Sequence, residues 1–265
     1  MNNEVRWVEP HEGFELTPHT VAIDAAEQIE KLDVCGLPNN HFDGAVDASF
    51  FIRLGIHAGI ASGISAEGNI NMVQSLIQYR PVRLGEPLTV RGAVTKVETV
   101  PRGQAVETDV WFEDESGAKA VSAWRRSLRP IATAADSRGA GARPAPVVSD
   151  AGELVERATH QLTPAAVKGY SSEGNSIHYE MGAANRAGFR APMIGGGMGV
   201  HYLLAALWSD YRPTSFNLDI YFRRPIFWDD AFGVSIAADA SAMCTWRRDA
   251  DAMKVLTEAR INSLS

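Results

Sequence analysis

The chain has 265 residues, 45% of them hydrophobic and 22% charged, a balance that excludes a disordered chain, a coiled coil and a collagen-like repeat. A formal net charge of −7 repels a phosphate backbone, and the arginines fall in scattered pairs, so no nucleic-acid partner is expected. Two cysteines, Cys35 and Cys244, stand far apart and outside any CxxC spacing, which argues against a disulfide framework or a Cys-rich zinc site.

The N-terminal run Met1-Asn2-Asn3-Glu4-Val5-Arg6-Trp7 is polar, without the apolar stretch of a leader. No segment approaches the roughly eighteen apolar residues of a membrane span. A cytoplasmic protein with no membrane partner is the expectation. Ala48 to Ile60 is largely apolar and predicts a buried helix. Strand patterns follow at Asn71–Tyr79, Leu88–Val97, Ala105–Glu113 and Lys119–Leu128. The last two are joined by Asp114-Glu115-Ser116-Gly117, a hairpin turn ending in glycine.

Residues 132–148 are small, polar and punctuated by Pro and Gly, and they read as a linker or as a long surface loop within one domain. The linker reading gives units at 1–131 and 149–265. In the second unit Gly197–Ser209 predicts a helix, and Ser215–Phe222, Ala231–Ala240, Ala242–Arg248 and Lys254–Asn262 predict strands. A shift of 144 residues lays Arg80-Pro81-Val82 on Arg224-Pro225-Ile226 and Gly55-Ile56-His57 on Gly199-Val200-His201. One constant offset across a helix and a strand implies an internal duplication. An apolar helix followed by a strand meander predicts an α+β fold in which an antiparallel sheet wraps each helix, the two sheets joined edge to edge into one.

Several motifs fail on counting. Gly195-Gly196-Gly197-Met198-Gly199-Val200 lacks the last glycine of a dinucleotide loop, and no Walker or HExxH pattern occurs. His11, His19 and His41 are isolated. By contrast, Tyr170-Ser171-Ser172-Glu173-Gly174-Asn175-Ser176-Ile177-His178 brings a carboxylate, an amide and an imidazole within six residues. Ten residues on, Gly188-Phe189-Arg190-Ala191-Pro192-Met193-Ile194-Gly195-Gly196-Gly197 leads into the second helix. Free N–H groups at a glycine-rich helix start carry partial positive charge. Beside a carboxylate–imidazole pair they equip a site for acid–base chemistry on a carbonyl that becomes an oxyanion.

This segment resembles the hydratase motif of the MaoC-like, (R)-specific enoyl-CoA hydratases, whose fold is the hotdog. In their pattern, Ser-Gly-Asp-x-Asn-Pro-[Ile/Leu]-His, Glu173 stands in place of Asp, Ser172 of Gly and Ser176 of Pro. Asn175, Ile177 and His178 match, as do Gly188, Phe189 and Pro192 downstream. The resemblance implies a double hotdog and reversible addition of water to the 2,3 double bond of an enoyl thioester. It makes Glu173, His178, Asn175 and Gly196 catalytic, with Gly197, Tyr170 and Pro192 binding substrate. No cofactor or metal is implied, coenzyme A entering as part of the acyl thioester substrate, and a homodimer is the expected assembly. At the 144 offset Glu173 and His178 fall on Ile29 and Val34, so the first unit lacks the dyad and is assigned to the acyl tunnel or the coenzyme A cradle. Phe50 and Phe51 fit a tunnel wall or an ordinary core. Arg223 and Arg224, or Arg80 and Arg83, are candidates for the coenzyme A phosphates. The alternatives are a hotdog thioesterase using Asp47, itself otherwise a helix cap, and a non-catalytic acyl-thioester binding protein.

Overall fold

The computed structural model describes residues 7–131, 144–171, 174–250 and 252–265; Glu173 and linker residues 132–143 lie outside them. In chain order the first half forms β1 (His19–Val21), α1 (Ala25–Val34), α2 (Phe50–Ala61), β2 (Ile70–Gln78), β3 (Leu88–Val100), β4 (Gly103–Glu113) and β5 (Lys119–Pro130). The second half forms β6 (Val155–Gln161), α3 (Pro164–Ser171), α4 (Met181–Arg186), α5 (Gly196–Tyr211), β7 (Phe216–Phe222), β8 (Ala231–Ile236), β9 (Ala242–Asp249) and β10 (Ala252–Leu264). A 3₁₀ turn over Ser176–His178 separates α3 from α4.

All ten strands join one antiparallel sheet in the order β1-β3-β4-β5-β2-β7-β10-β9-β8-β6. The order is symmetric about its centre, since β1, β2, β3, β4 and β5 occupy the places of β6, β7, β8, β9 and β10. The halves meet at β2 and β7, paired from Val73↔Tyr221 to Gln78↔Phe216. This pairing gives each strand the backbone partners that an open edge would lack. Even two isolated bridges correspond: Ala45↔Arg83 in one half, Met193↔Phe227 in the other.

The sheet curls around α2 and α5. Every residue of α5 from Met198 to Leu207 is buried, as a helix apolar on all sides requires. α2 buries Phe50, Phe51, Ile52, Gly55, Ala58 and Gly59, leaves the rest half-covered and exposes Ala61 at its end. Phe50 and Phe51 belong to the ordinary core, and Phe51 meets Phe112 edge-on at 4.8 Å.

The expected strands and both long helices recur within a few residues, with one clear departure. Ala231–Ala240 stops at Ile236, because Asp239 accepts hydrogen bonds from the N–H and hydroxyl of Ser241 and turns the chain at Ala240, φ 55°. Five further elements were not expected from sequence: β1, α1, β6, α3 and α4. β1 spans three residues and β6 is mostly exposed, so neither carries a strand's alternation. α1 did have a signal, Asp24 capping the N–H of Glu27 at 2.7 Å.

Candidate active site

His178 closes the 3₁₀ turn, and its Nδ1 lies 2.9 Å from the carbonyl of Met193. A carbonyl can only accept, so Nδ1 carries the proton and Nε2 keeps its lone pair. Burial lowers the His178 pKa from its ordinary 6.5, against the bond to Met193 and the charge of Glu67, which raise it. The ring is therefore a neutral base at physiological pH.

Nε2 faces the start of α5. A β-carbon added at Gly195 would sit 3.6 Å from His178 Nε2 and 3.6 Å from Ser171 Oγ, so these atoms surround one small space. Gly195 is the N-cap of α5 and offers no side-chain cap. The first-turn N–H groups, Gly196 among them, have no intrahelical acceptor and carry the positive end of the helix dipole. At Gly196 a β-carbon would come within 2.9 Å of the Phe222 ring, so a larger residue has to displace that ring.

The loop after α2 fixes the motif from the other half. Asn175 is buried, its Oδ1 accepting from the Gly68 N–H at 3.1 Å and its Nδ2 donating to the Asn69 carbonyl at 3.0 Å. Glu67 accepts from the N–H of Ser176 at 3.1 Å and from its hydroxyl. Each amide end of Asn175 bonds backbone, which positions the loop, while its second N–H and second lone pair remain for the cavity it lines. The serine that replaces the family proline is what Glu67 holds. Gly174, at φ 77°, leaves room for Ile60, whose Cδ1 a β-carbon there would meet at 2.9 Å.

These groups open onto a cavity of about 970 Å³ that both halves line. Tyr170, Ser171, Asn175, His178 and Gly195 to Gly197 come from the motif side. Arg53, Ile56 and His57 face it from α2, and Asn71 and Arg125 from the first-half sheet. Tyr170 is held with its hydroxyl 3.5 Å from Ser49 Oγ, and burial pushes its pKa up, keeping the phenol neutral. Pro192 lies off the cavity, its carbonyl accepting from the Trp228 N–H at 3.0 Å, and so shapes the loop instead of touching a ligand. Sequence reasoning missed Ser171, His57, Asn71 and Arg125. Ser171 lay inside the motif, but the others reach the site only through the fold.

The coenzyme A candidates divide. Arg80 bonds Glu86 and Asp114 and lies away from the cavity, as does Arg83. Arg223 and Arg224 line it, but Arg223 pairs with buried Glu258 at 2.6 Å and donates to the carbonyls of Pro144 and Ala145. Asp47 is fully buried and off the cavity. It accepts from the Ser49 N–H at 3.0 Å and hydroxyl at 2.5 Å and pairs with His201, also fully buried. It is a residue of the helix start without access to a thioester. Among the described residues no group of three or more His, Cys, Asp or Glu could hold a metal, and no helix is long and apolar enough to cross a membrane.

No sequence family and no curated protein matches the chain. Solved structures do. HtdX of Mycobacterium tuberculosis is 20% identical with a TM-score of 0.72, over 91% of this chain and 98% of that one. A MaoC-like dehydratase from Phytophthora capsici is 17% identical with a TM-score of 0.65, over 94% and 96%. A second M. tuberculosis protein, described as a double hotdog, is 12% identical with a TM-score of 0.66, over 95% of each chain. The chain has the double hotdog fold that MaoC-like dehydratases share.

Proposed function

We propose that this double hotdog protein is a hydratase or dehydratase of 2,3-unsaturated acyl thioesters, with coenzyme A esters as the substrate class. One observation carries the reading: the lone pair of His178 Nε2 and the open N–H groups of α5 converge beside Gly195 in a single cavity. Water addition needs both at one place. The thioester oxygen sits on the N–H of Gly196 or Gly197, so that negative charge developing on it meets the helix dipole. His178 takes a proton from water, whose oxygen bonds C3, and the electrons of the double bond move toward the thioester oxygen. A proton returned to C2 completes the 3-hydroxyacyl product. The MaoC-like motif gives that proton transfer to Glu173, one methylene longer than the family aspartate. Dehydration runs through the same steps in reverse.

Incubation with crotonyl-CoA, followed by both enone absorbance and free thiol, tests the assignment. Loss of absorbance without thiol is expected, and it should vanish in Glu173→Gln. Thiol release would instead mark a thioesterase, and binding with neither change a non-catalytic carrier.

A further inference from the structure

Arg125 stands where the pattern of its strand calls for an apolar residue. Along β5, Val121 and Ala123 are buried in the core, and period-two alternation puts Arg125 on the same, helix-facing side. Across the sheet it is registered with Gln74 on β2 and Thr108 on β4, well inside the strand ends. Its guanidinium lies against α2, where a β-carbon added at Gly59 would be 3.6 Å from Nη2. Nε is buried with no hydrogen-bond partner, and no side-chain hydrogen bond or ion pair joins Arg125 to any described residue. Burial alone lowers its pKa to about 10, so it remains a cation at neutral pH.

Among the described residues, the other charges around the cavity have partners, apart from Arg102. Arg126 pairs with Glu98 and Glu107, Arg53 with Glu27, Arg223 with Glu258, and Asp219 accepts from Asn262. A guanidinium with a buried Nε and no partner among the described residues is left incomplete, and a negative charge on a ligand would complete it. The cavity is the space from which that charge can come, since Arg125 lines it together with His178. The position also says which part of a ligand it meets. Gly59 precedes Ile60, and Ile60 touches Gly174 of the motif loop, so the guanidinium is close to the turn that carries the reactive groups. The phosphates of coenzyme A lie at the far end of the pantetheine arm from the thioester.

We propose that Arg125 is the specificity-determining residue of the acyl pocket and binds an anionic group on the acyl chain, so that the preferred substrate is the monothioester of an unsaturated dicarboxylic acid. The inference rests on the acyl-thioester reading above and names the class of acyl group. The guanidinium fork suits a carboxylate, which it can hold through two parallel N–H bonds.

Saturated thioesters isolate binding from turnover. Calorimetry would compare succinyl-, glutaryl- and adipyl-CoA with butyryl-, valeryl- and hexanoyl-CoA, pairs matched in chain length, on the wild-type protein and on Arg125→Met. At one length or more, the acidic ester is expected to bind at least tenfold more tightly than its neutral partner. In Arg125→Met that preference should disappear while neutral esters keep their affinity. Equal binding within every wild-type pair overturns the proposal whether or not the variant folds. So does an equal loss for both members of each pair in the variant, which would place a coenzyme A phosphate on Arg125. Failure of crotonyl-CoA and of an unsaturated dicarboxylic thioester to be hydrated would sink the proposed reaction but leave the binding preference readable. If no ester binds, both readings fall.

Discussion

The two central helices occupy equivalent places and begin in opposite ways. At α2, Asp47 accepts from the N–H and hydroxyl of Ser49, and its carbonyl accepts from the N–H of Phe50. Side chain and backbone there close on themselves, under Phe50 and Phe51. At α5 the N-cap is Gly195, which gives no side-chain cap hydrogen bond, and the first-turn backbone lines the cavity beside His178, Ser171 and Phe222. Repetition of the fold has thus left one helix start satisfied and buried, the other open to a ligand. The halves are also joined at these ends, for the Asp47 of α2 pairs with the His201 of α5.

The comparison breaks first at His178. Its replacement by Ala should lower kcat/KM for crotonyl-CoA by on the order of 10²–10⁴-fold, the usual share of a general base, with an unchanged circular dichroism spectrum. Full retention of activity would remove the open helix start from the chemistry.

Asp47→Asn should act on folding instead. Removing one partner of a buried pair costs about 3–5 kcal/mol, read as a lower denaturant midpoint. The pH dependence carries its own sign. Burial pulls the His201 pKa down, but the charge and hydrogen bond of Asp47 outweigh it and carry it from 6.5 to about 10. A raised histidine pKa contributes stability fully below 6.5 that is lost as pH climbs toward 10. Melting temperature should therefore decline across that window in the wild type, and the decline should flatten in Asp47→Asn.

Gly196→Ala presses a methyl group on Phe222 and should displace the helix start from the thioester oxygen. Misplacement by about an ångström can cost on the order of 10²-fold. Adding Phe222→Leu should restore part of the activity, whereas no rescue would mean that the backbone N–H was not the affected group. Asn175→Ala strands the Gly68 N–H and Asn69 carbonyl, at about 1–3 kcal/mol. Its signature should be a fall in kcat/KM without loss of the overall fold. The smallest effect is in pH: because burial depresses the His178 pKa, the acid limb of kcat/KM should lie below 6.5. A limb above that value would show that a different group titrates.

Much of the architecture is legible along the chain because its signals are local. Alternation marks β2 to β5 and β7 to β10, apolar runs mark α2 and α5, and the 144-residue offset matches the helices and the strands after them. The offset fades beyond β3 and β8 because β8 has 6 residues against 13 in β3, so later elements slide out of register. Short or exposed elements such as β1 and β6 escape, since their backbone pairing is imposed by neighbours and leaves no pattern in their own residues.

The chemistry divides in the same way. Residues 170–178 and 188–197 carry their types and spacing in the sequence, so the imidazole, the amide and the glycine-rich helix start are recognisable from the chain alone. What each atom faces is decided by tertiary contact. The carbonyl of Met193 sets the tautomer of His178, and the loop at Gly68 and Asn69 fixes the orientation of Asn175. Phe50 and Phe51 pack inward while Arg53 and His57 turn to the cavity, and Arg125 lines it half-buried, its Nε without a partner among the described residues. A residue's type and local spacing are written along the chain, but its desolvation and its partners arise from segments more than a hundred residues apart, and those set the charge and direction on which a reaction depends.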